Sequence, residues 1–121
     1  NAATRPNISF LLTDDHRQDA LGAYGNPIIH TPQIDRLAAE GVTFNHAFVT
    51  TAICMTSRAS ILAGQYAARH GIWRFDREFT PEQLARTYPG VLKEAGYRTG
   101  FIGKWGVGNP PKDFFDYNTG F

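Results

Sequence analysis

Three short stretches of this sequence carry side chains whose types and spacing can do chemistry. Cys54-Met55-Thr56-Ser57-Arg58 holds the one cysteine of the chain, and Ala59-Ser60-Ile61-Leu62-Ala63-Gly64 reads as a short helix closed by glycine. A thiol at a helix mouth, with an arginine four residues on, lies in a positive field that favours thiolate and other anions. A lone cysteine serves equally as a small buried hydrophobe. Asp14-Asp15-His16 sets two carboxylates side by side, which repel unless a cation lies between them. A hard divalent ion with oxygen ligands suits such a pair, calcium or magnesium rather than zinc. The plainer alternative is one Asp capping the next segment and the other in water. Lys104 closes a third stretch, Tyr97-Arg98-Thr99-Gly100-Phe101-Ile102-Gly103, and offers a point positive charge there.

The elements that must position these groups follow from pattern. Residues 8–12 are continuously apolar apart from Ser9, the mark of a strand buried on both faces of a parallel sheet. Asp14 and Asp15 then fall at its carboxyl end, where open α/β sheets bind ligands. Residues 22–27 are rich in turn formers. Thr31 is a suitable N-cap with Pro32 behind it, Ile34, Leu37 and Ala38 give an apolar stripe, and Gly41 stops the helix. Residues 42–49 read as extended, and 65–79 as irregular and rich in arginine and aromatic residues. Thr80 and Gln83 have the spacing of a capping box. The helix they begin must bend near Pro89-Gly90 and end at Gly96. Residues 98–102 form a second strand with Lys104 at its end, and 106–121 read as turns and loops. Strands separated by helices imply an α/β fold, a mostly parallel sheet flanked by helices.

Bulk properties narrow the field modestly. The chain of 121 residues makes one domain at most, without an internal boundary, repeat or low-complexity segment. Twelve basic residues against eleven acidic ones leave a net charge of +1, which argues neither for nor against a polyanionic partner. No apolar run approaches a membrane span. A single cysteine excludes a disulfide framework and a cysteine-rich zinc site. Asn1-Ala2-Ala3 reads either as the start of a processed chain or as a remnant left by recombinant expression. Arg69, Arg74 and Arg77 form either a solvated basic loop or a surface that meets an anionic carbohydrate.

In order along the chain, five motifs resemble the N-terminal part of the sulfatase family, arylsulfatase-like members of the alkaline-phosphatase-like superfamily. They are Arg5-Pro6-Asn7 into Thr13-Asp14-Asp15, then Thr31-Pro32-Gln33-Ile34-Asp35-Arg36-Leu37-Ala38, then Cys54 to Arg58 with Ala59-Ser60. Gly64-Gln65-Tyr66 with His70-Gly71, and finally Gly103-Lys104-Trp105, complete the set. The resemblance covers nearly the whole chain and implies residues 1–121 of a longer sulfatase catalytic domain, an N-terminal fragment expected to be inactive alone. It also implies export to the periplasm or the exterior.

The resemblance further implies metal-dependent hydrolysis of an organic sulfate ester. A thiolate would give a thiosulfate-like adduct with no easy route onward, and the family instead oxidises this cysteine to Cα-formylglycine through a maturation enzyme. By that pattern Cys54, Arg58 and Lys104 are catalytic. Residue 54 is the nucleophile, Arg58 steadies its hydrate, and Lys104 meets a sulfate oxygen. Asp14, Asp15 and the converted Cys54 are implied as ligands of calcium, or of magnesium. His16 is implied to line the substrate pocket, while His70-Gly71 and Trp105 are read as structural. Two positions depart from the pattern: Thr56 stands where Pro or Ala is usual, and Gly106 where His is usual. Rival readings are a phosphonate or phosphate ester hydrolase of the same superfamily, and a non-catalytic binding protein that keeps the fold. No nucleic-acid or membrane partner is expected, and the isolated piece is expected to self-associate through uncovered sheet edges.

Overall fold

The computed structural model describes residues 5–121, so Asn1-Ala2-Ala3 lies outside the described residues. The chain separates into two compact units, one ending at Ala47 and one spanning Phe48–Phe121.

In the first unit two 3-10 turns, Gln18–Ala20 and Gly22–Tyr24, precede helix α1, Pro32–Glu40. Pro32 starts α1 as its sequence suggests, but the Thr31 hydroxyl caps no backbone N–H of the helix. It donates to Asp35 Oδ1 at 2.9 Å and accepts from the Gly22 N–H at 2.9 Å. Asp35 Oδ1 also accepts from the Ala23 N–H at 2.7 Å, so the hydroxyl and the carboxylate tie the turn to the helix. Ile34 and Leu37 remain exposed, so the apolar stripe of α1 is uncovered.

The strand expected over residues 8–12 is absent. Residues 7–13 form no strand, and Leu11 is 83% exposed. Such a run is stable as a strand only when neighbours bond both its edges. Among the described residues, the one sheet is a pair elsewhere in the chain.

The second unit contains α2 (Cys54–Ala63), α3 (Ala67–His70), α4 (Pro81–Ala85), α5 (Tyr88–Glu94), β1 (Gly100–Gly103) and β2 (Tyr117–Gly120). Met55, Ala59 and Leu62 recur at one helical face of α2 and are buried. They meet Ile72, Trp105, Val107 and Phe115 in the core. Aromatic rings close that core: Phe101 stacks on Phe115 at 5.3 Å, and Trp105 meets Phe101 edge-on at 5.3 Å.

Several boundaries differ from expectation. Helix α2 begins at Cys54 itself, so the chemical motif forms the first turns of the helix rather than a loop before it. The stretch read as irregular contains α3, and residues 42–49 form no strand. The capping box is present, with Thr80 Oγ1 accepting from the Gln83 N–H and Gln83 Oε1 from the Thr80 N–H. The break falls at Arg86-Thr87, before Pro89. Proline in a first helical turn needs no N–H partner, and the buried Thr87 hydroxyl donates to the Leu84 carbonyl at 2.6 Å to fix the corner.

Strand β2 lies where the sequence pattern gives only turns and loops. It pairs with β1 in parallel, with Gly100 opposite Tyr117 and Gly103 opposite Gly120. The intervening residues 104–116 have the length a parallel crossover requires. Helices around a small parallel sheet make the fold α/β, as the sequence pattern implied.

Candidate active site

Cys54 is the first residue of α2 and half-buried. Ile53 at the N-cap offers no side-chain acceptor. The free N–H groups of the first turn therefore lend positive potential to the Cys54 side chain. One turn on, Arg58 sits on the same helical face. Its Nη1 donates to the Lys104 carbonyl oxygen at 2.7 Å across 46 residues of sequence. The fold thus brings the cysteine motif and the lysine station together.

The Lys104 segment is held from both sides. The Trp105 N–H donates to the Phe121 carbonyl at 2.9 Å, and the Phe121 N–H donates to the Gly103 carbonyl at 3.0 Å, continuing the β1–β2 ladder. The Trp105 ring is buried, and its indole N–H donates to the Val107 carbonyl at 2.8 Å. This agrees with a packing role for Trp105. At Gly106 φ is +72°, in the left-handed region. A Cβ there would stand 2.8 Å from Arg58 Cδ and 3.7 Å from Lys104 Cε. Glycine at 106 therefore leaves the space that the Arg58 side chain crosses. In the sequence alone Gly106 stands out only as a departure from pattern. The Lys-Trp-Gly spacing was visible, but its steric partner lies on a distant helix.

Thr56 is fully buried between Cys54 and Arg58, and its hydroxyl has no hydrogen-bond partner. His70 is buried at the end of α3. Its Nδ1 accepts from the Ile72 N–H at 3.0 Å, so the ring proton belongs on Nε2, 3.0 Å from Ser60 Oγ. Burial lowers the pKa of His70. With its basic nitrogen occupied, His70 cannot take a proton from Ser60, and the pair is structural rather than a nucleophile with its base.

Asp14, Asp15 and His16 lie in the first unit, all exposed. Asp15 has φ +50°, the only non-glycine residue with positive φ among the described residues. Asp tolerates that conformation better than most residues. His16 is turned toward its own segment, with Nδ1 3.2 Å from Thr13 Oγ1 and Nε2 3.5 Å from the Ala20 carbonyl. No group of three or more His, Cys, Asp or Glu side chains with metal-holding geometry occurs among the described residues. In donor type, two carboxylates fit a hard cation. In number they supply part of the six or more oxygens that calcium takes.

Comparison with known proteins adds an independent line. The sulfatase family model matches residues 6–121. The chain is 40% identical over 110 residues to an N-acetylglucosamine-6-O-sulfatase of Bacteroides thetaiotaomicron, covering 91% of this chain and 19% of the relative. It is 35% identical over 127 aligned positions to the N-acetylgalactosamine-6-sulfatase of Homo sapiens, covering 96% of this chain and 24% of the relative. A solved structure of a protein in complex with its substrate D-glucosamine-2-N,6-O-disulfate superposes with a TM-score of 0.84 at 39% identity. That superposition covers 94% of this chain and 23% of the other.

Proposed function

The chain belongs to the sulfatase family, and from that premise we propose that it is part of an enzyme hydrolysing the sulfate ester of a saccharide. The observation that carries this reading is the Arg58 guanidinium on the Lys104 carbonyl, which gathers the Cys54 motif and the lysine at one place. The relatives named for 6-sulfated amino sugars favour a hexosamine sulfate as the substrate.

The mechanism uses residue 54 after a maturation enzyme has replaced its thiol by an aldehyde. In the hydrated aldehyde one hydroxyl oxygen attacks sulfur, forming a covalent sulfate ester. The sulfur–alkoxide bond breaks, and the alcohol leaves with a proton. The second hydroxyl on the same carbon then loses its proton, the carbonyl re-forms as its bond to the sulfate oxygen breaks to release sulfate, and a water molecule adds to the aldehyde to restore the hydrate. The helix N-terminus and Arg58 stabilise negative charge on the hydrate, and Lys104 balances charge on the sulfate oxygens in the transition state. Asp14 and Asp15 would hold a divalent cation, calcium by preference, which supplies further positive charge to sulfate when bound. Turnover is expected of the complete enzyme and not of residues 1–121 alone.

The test is a mass spectrum of the Cys54 peptide from the native protein, paired with turnover of glucosamine 6-sulfate. An aldehyde at residue 54 and turnover abolished in Cys54→Ala are expected. An intact thiol in a fully active enzyme would overturn the mechanism. A faster rate on the matching phosphate ester would overturn the substrate class.

A further inference from the structure

Away from the Cys54 cluster, the second unit carries a partly open pocket of about 180 Å3 at the far end of α2, beside α3 and α4. Its walls include the exposed Arg69, Arg86 and Gln65, with Gln83, His70 and Phe79 behind them. The Arg69 and Arg86 side chains make no ion pair or hydrogen bond among the described residues, and only the backbone N–H groups of the two residues are bonded. The acidic groups of the same segment are engaged elsewhere. Asp76 accepts from Arg74 at 3.1 and 3.2 Å, and Glu78 accepts from the Asn109 N–H at 3.2 Å. Hydrogen bonds from its own backbone N–H and from Thr80 lower the pKa of Glu82. Helices α3 and α4, of four and five residues, add little negative potential, and the carboxyl end of the ten-residue α2 at Ala63 sets about half a negative charge against two guanidinium charges.

The wall is also built in advance. The Gln83 carboxamide is pinned at both ends, with Nε2 donating to the His70 carbonyl at 3.1 Å and Oε1 accepting from the Thr80 N–H at 3.0 Å. His70 is neutral, so it neither adds to nor cancels the charge. Two guanidinium forks at one concavity match the planar pairs of oxygens on an oxyanion. At roughly 30 Å3 per water the pocket holds about six waters. That leaves room beside one oxyanion for part of the ring that carries it, with the Phe79 ring as an apolar wall.

We propose that this pocket is a second oxyanion site that takes a sulfate group borne on a saccharide. Nine residue steps along α2 at about 1.5 Å each place Ala63, in its wall, about 14 Å from Cys54. The group bound there is therefore distinct from the one hydrolysed, and a ligand filling both places is an oligosaccharide with at least two sulfates. The saccharide element rests on the function proposed above, whereas the oxyanion element rests on the pocket alone.

Calorimetric titration of the complete protein with inorganic sulfate and with glucosamine 6-sulfate tests this, in a Cys54→Ala background that prevents turnover. Adding Arg69→Gln and Arg86→Gln should weaken one binding event at least tenfold, while adding Lys104→Ala should leave that event in place. Arg69→Lys with Arg86→Lys should retain part of the affinity, since charge remains and the forks are lost. Unchanged binding in the double Gln variant would overturn the site, as would absence of any binding that survives Lys104→Ala. That second result is expected if an acidic side chain of the complete protein fills the pocket. Equal affinity for the two probes would overturn the saccharide element. A protein that binds in this pattern yet hydrolyses no sulfate ester would sink the function and leave the site.

Discussion

Replacing Gly106 by Ala asks whether empty space at that position is what lets Arg58 reach the Lys104 carbonyl. Two costs can be worked from the structure. With φ at +72°, an L-residue sits in the left-handed well, at about 1–2 kcal/mol. The new Cβ would also stand 2.8 Å from Arg58 Cδ, so the arginine must move and its 2.7 Å bond to the carbonyl is lost. A hydrogen bond to a charged group contributes about 1.5–3 kcal/mol, giving a sum of about 2.5–5 kcal/mol. That is a large share of the stability of an ordinary domain. Gly71 supplies the control: φ is +75° and a Cβ there meets nothing within 4 Å, so Gly71→Ala carries the strain alone. Urea unfolding followed by circular dichroism reads both, as midpoint shifts at constant slope; 2.5 kcal/mol moves the midpoint by roughly 1 M or more. In an Arg58→Ala background, which removes the Cδ that the new Cβ would meet, the excess of Gly106→Ala over Gly71→Ala should disappear. An excess below about 1 kcal/mol, or one that persists without the guanidinium, would refute the steric argument.

Thr56→Val keeps the shape of a buried side chain and removes a hydroxyl that has no partner, so it should stabilise the protein by about 1 kcal/mol or more. The midpoint of unfolding reads this, and a destabilised variant would show that the hydroxyl is satisfied. Burial holds the His70 pKa below its ordinary value near 6.5, so the unfolded chain takes up a proton first as pH falls. The stability His70 confers is therefore complete above about pH 6.5 and declines below it until the folded-state pKa is reached. Comparing midpoints across that window, His70→Gln should flatten the decline, and an unchanged pH profile would place the titration elsewhere.

What could be read from the sequence were features whose chemistry is local. Thr80 and Gln83 satisfy each other across a single turn, and Gly64 closes α2 because only a residue at ease at φ +62° can turn the chain there. The Cys54–Arg58 spacing is likewise a property of one helix. The failures share a different cause. Residues 8–12 look like a strand by composition, but a strand exists only through partners on other segments. Tyr117-Asn118-Thr119-Gly120 looks like a loop, with Asn and Gly disfavoured in sheets, yet parallel pairing with β1 makes it a strand. Pro89-Gly90 points to a bend between α4 and α5 because such residues break helices in mid-run. In fact Gly90 is needed because a Cβ would stand 2.3 Å from the Ala85 carbonyl oxygen. At the site, residue types pointed to Cys54, Arg58 and Lys104. The landing place of the Arg58 guanidinium, and the demand this makes on position 106, arise from tertiary packing alone.

The burial of Trp105 has an optical consequence. The chain has two tryptophans, and the other, Trp73, is 57% exposed. An indole shielded from water emits at shorter wavelength and is slow to meet a dissolved quencher, so the two contributions separate. With iodide silencing Trp73, the remaining light comes from a ring flanked by Lys104 and Gly106. Any ligand, ion or covalent change that shifts that turn alters this emission, and the molecule reports on its own site without a dye.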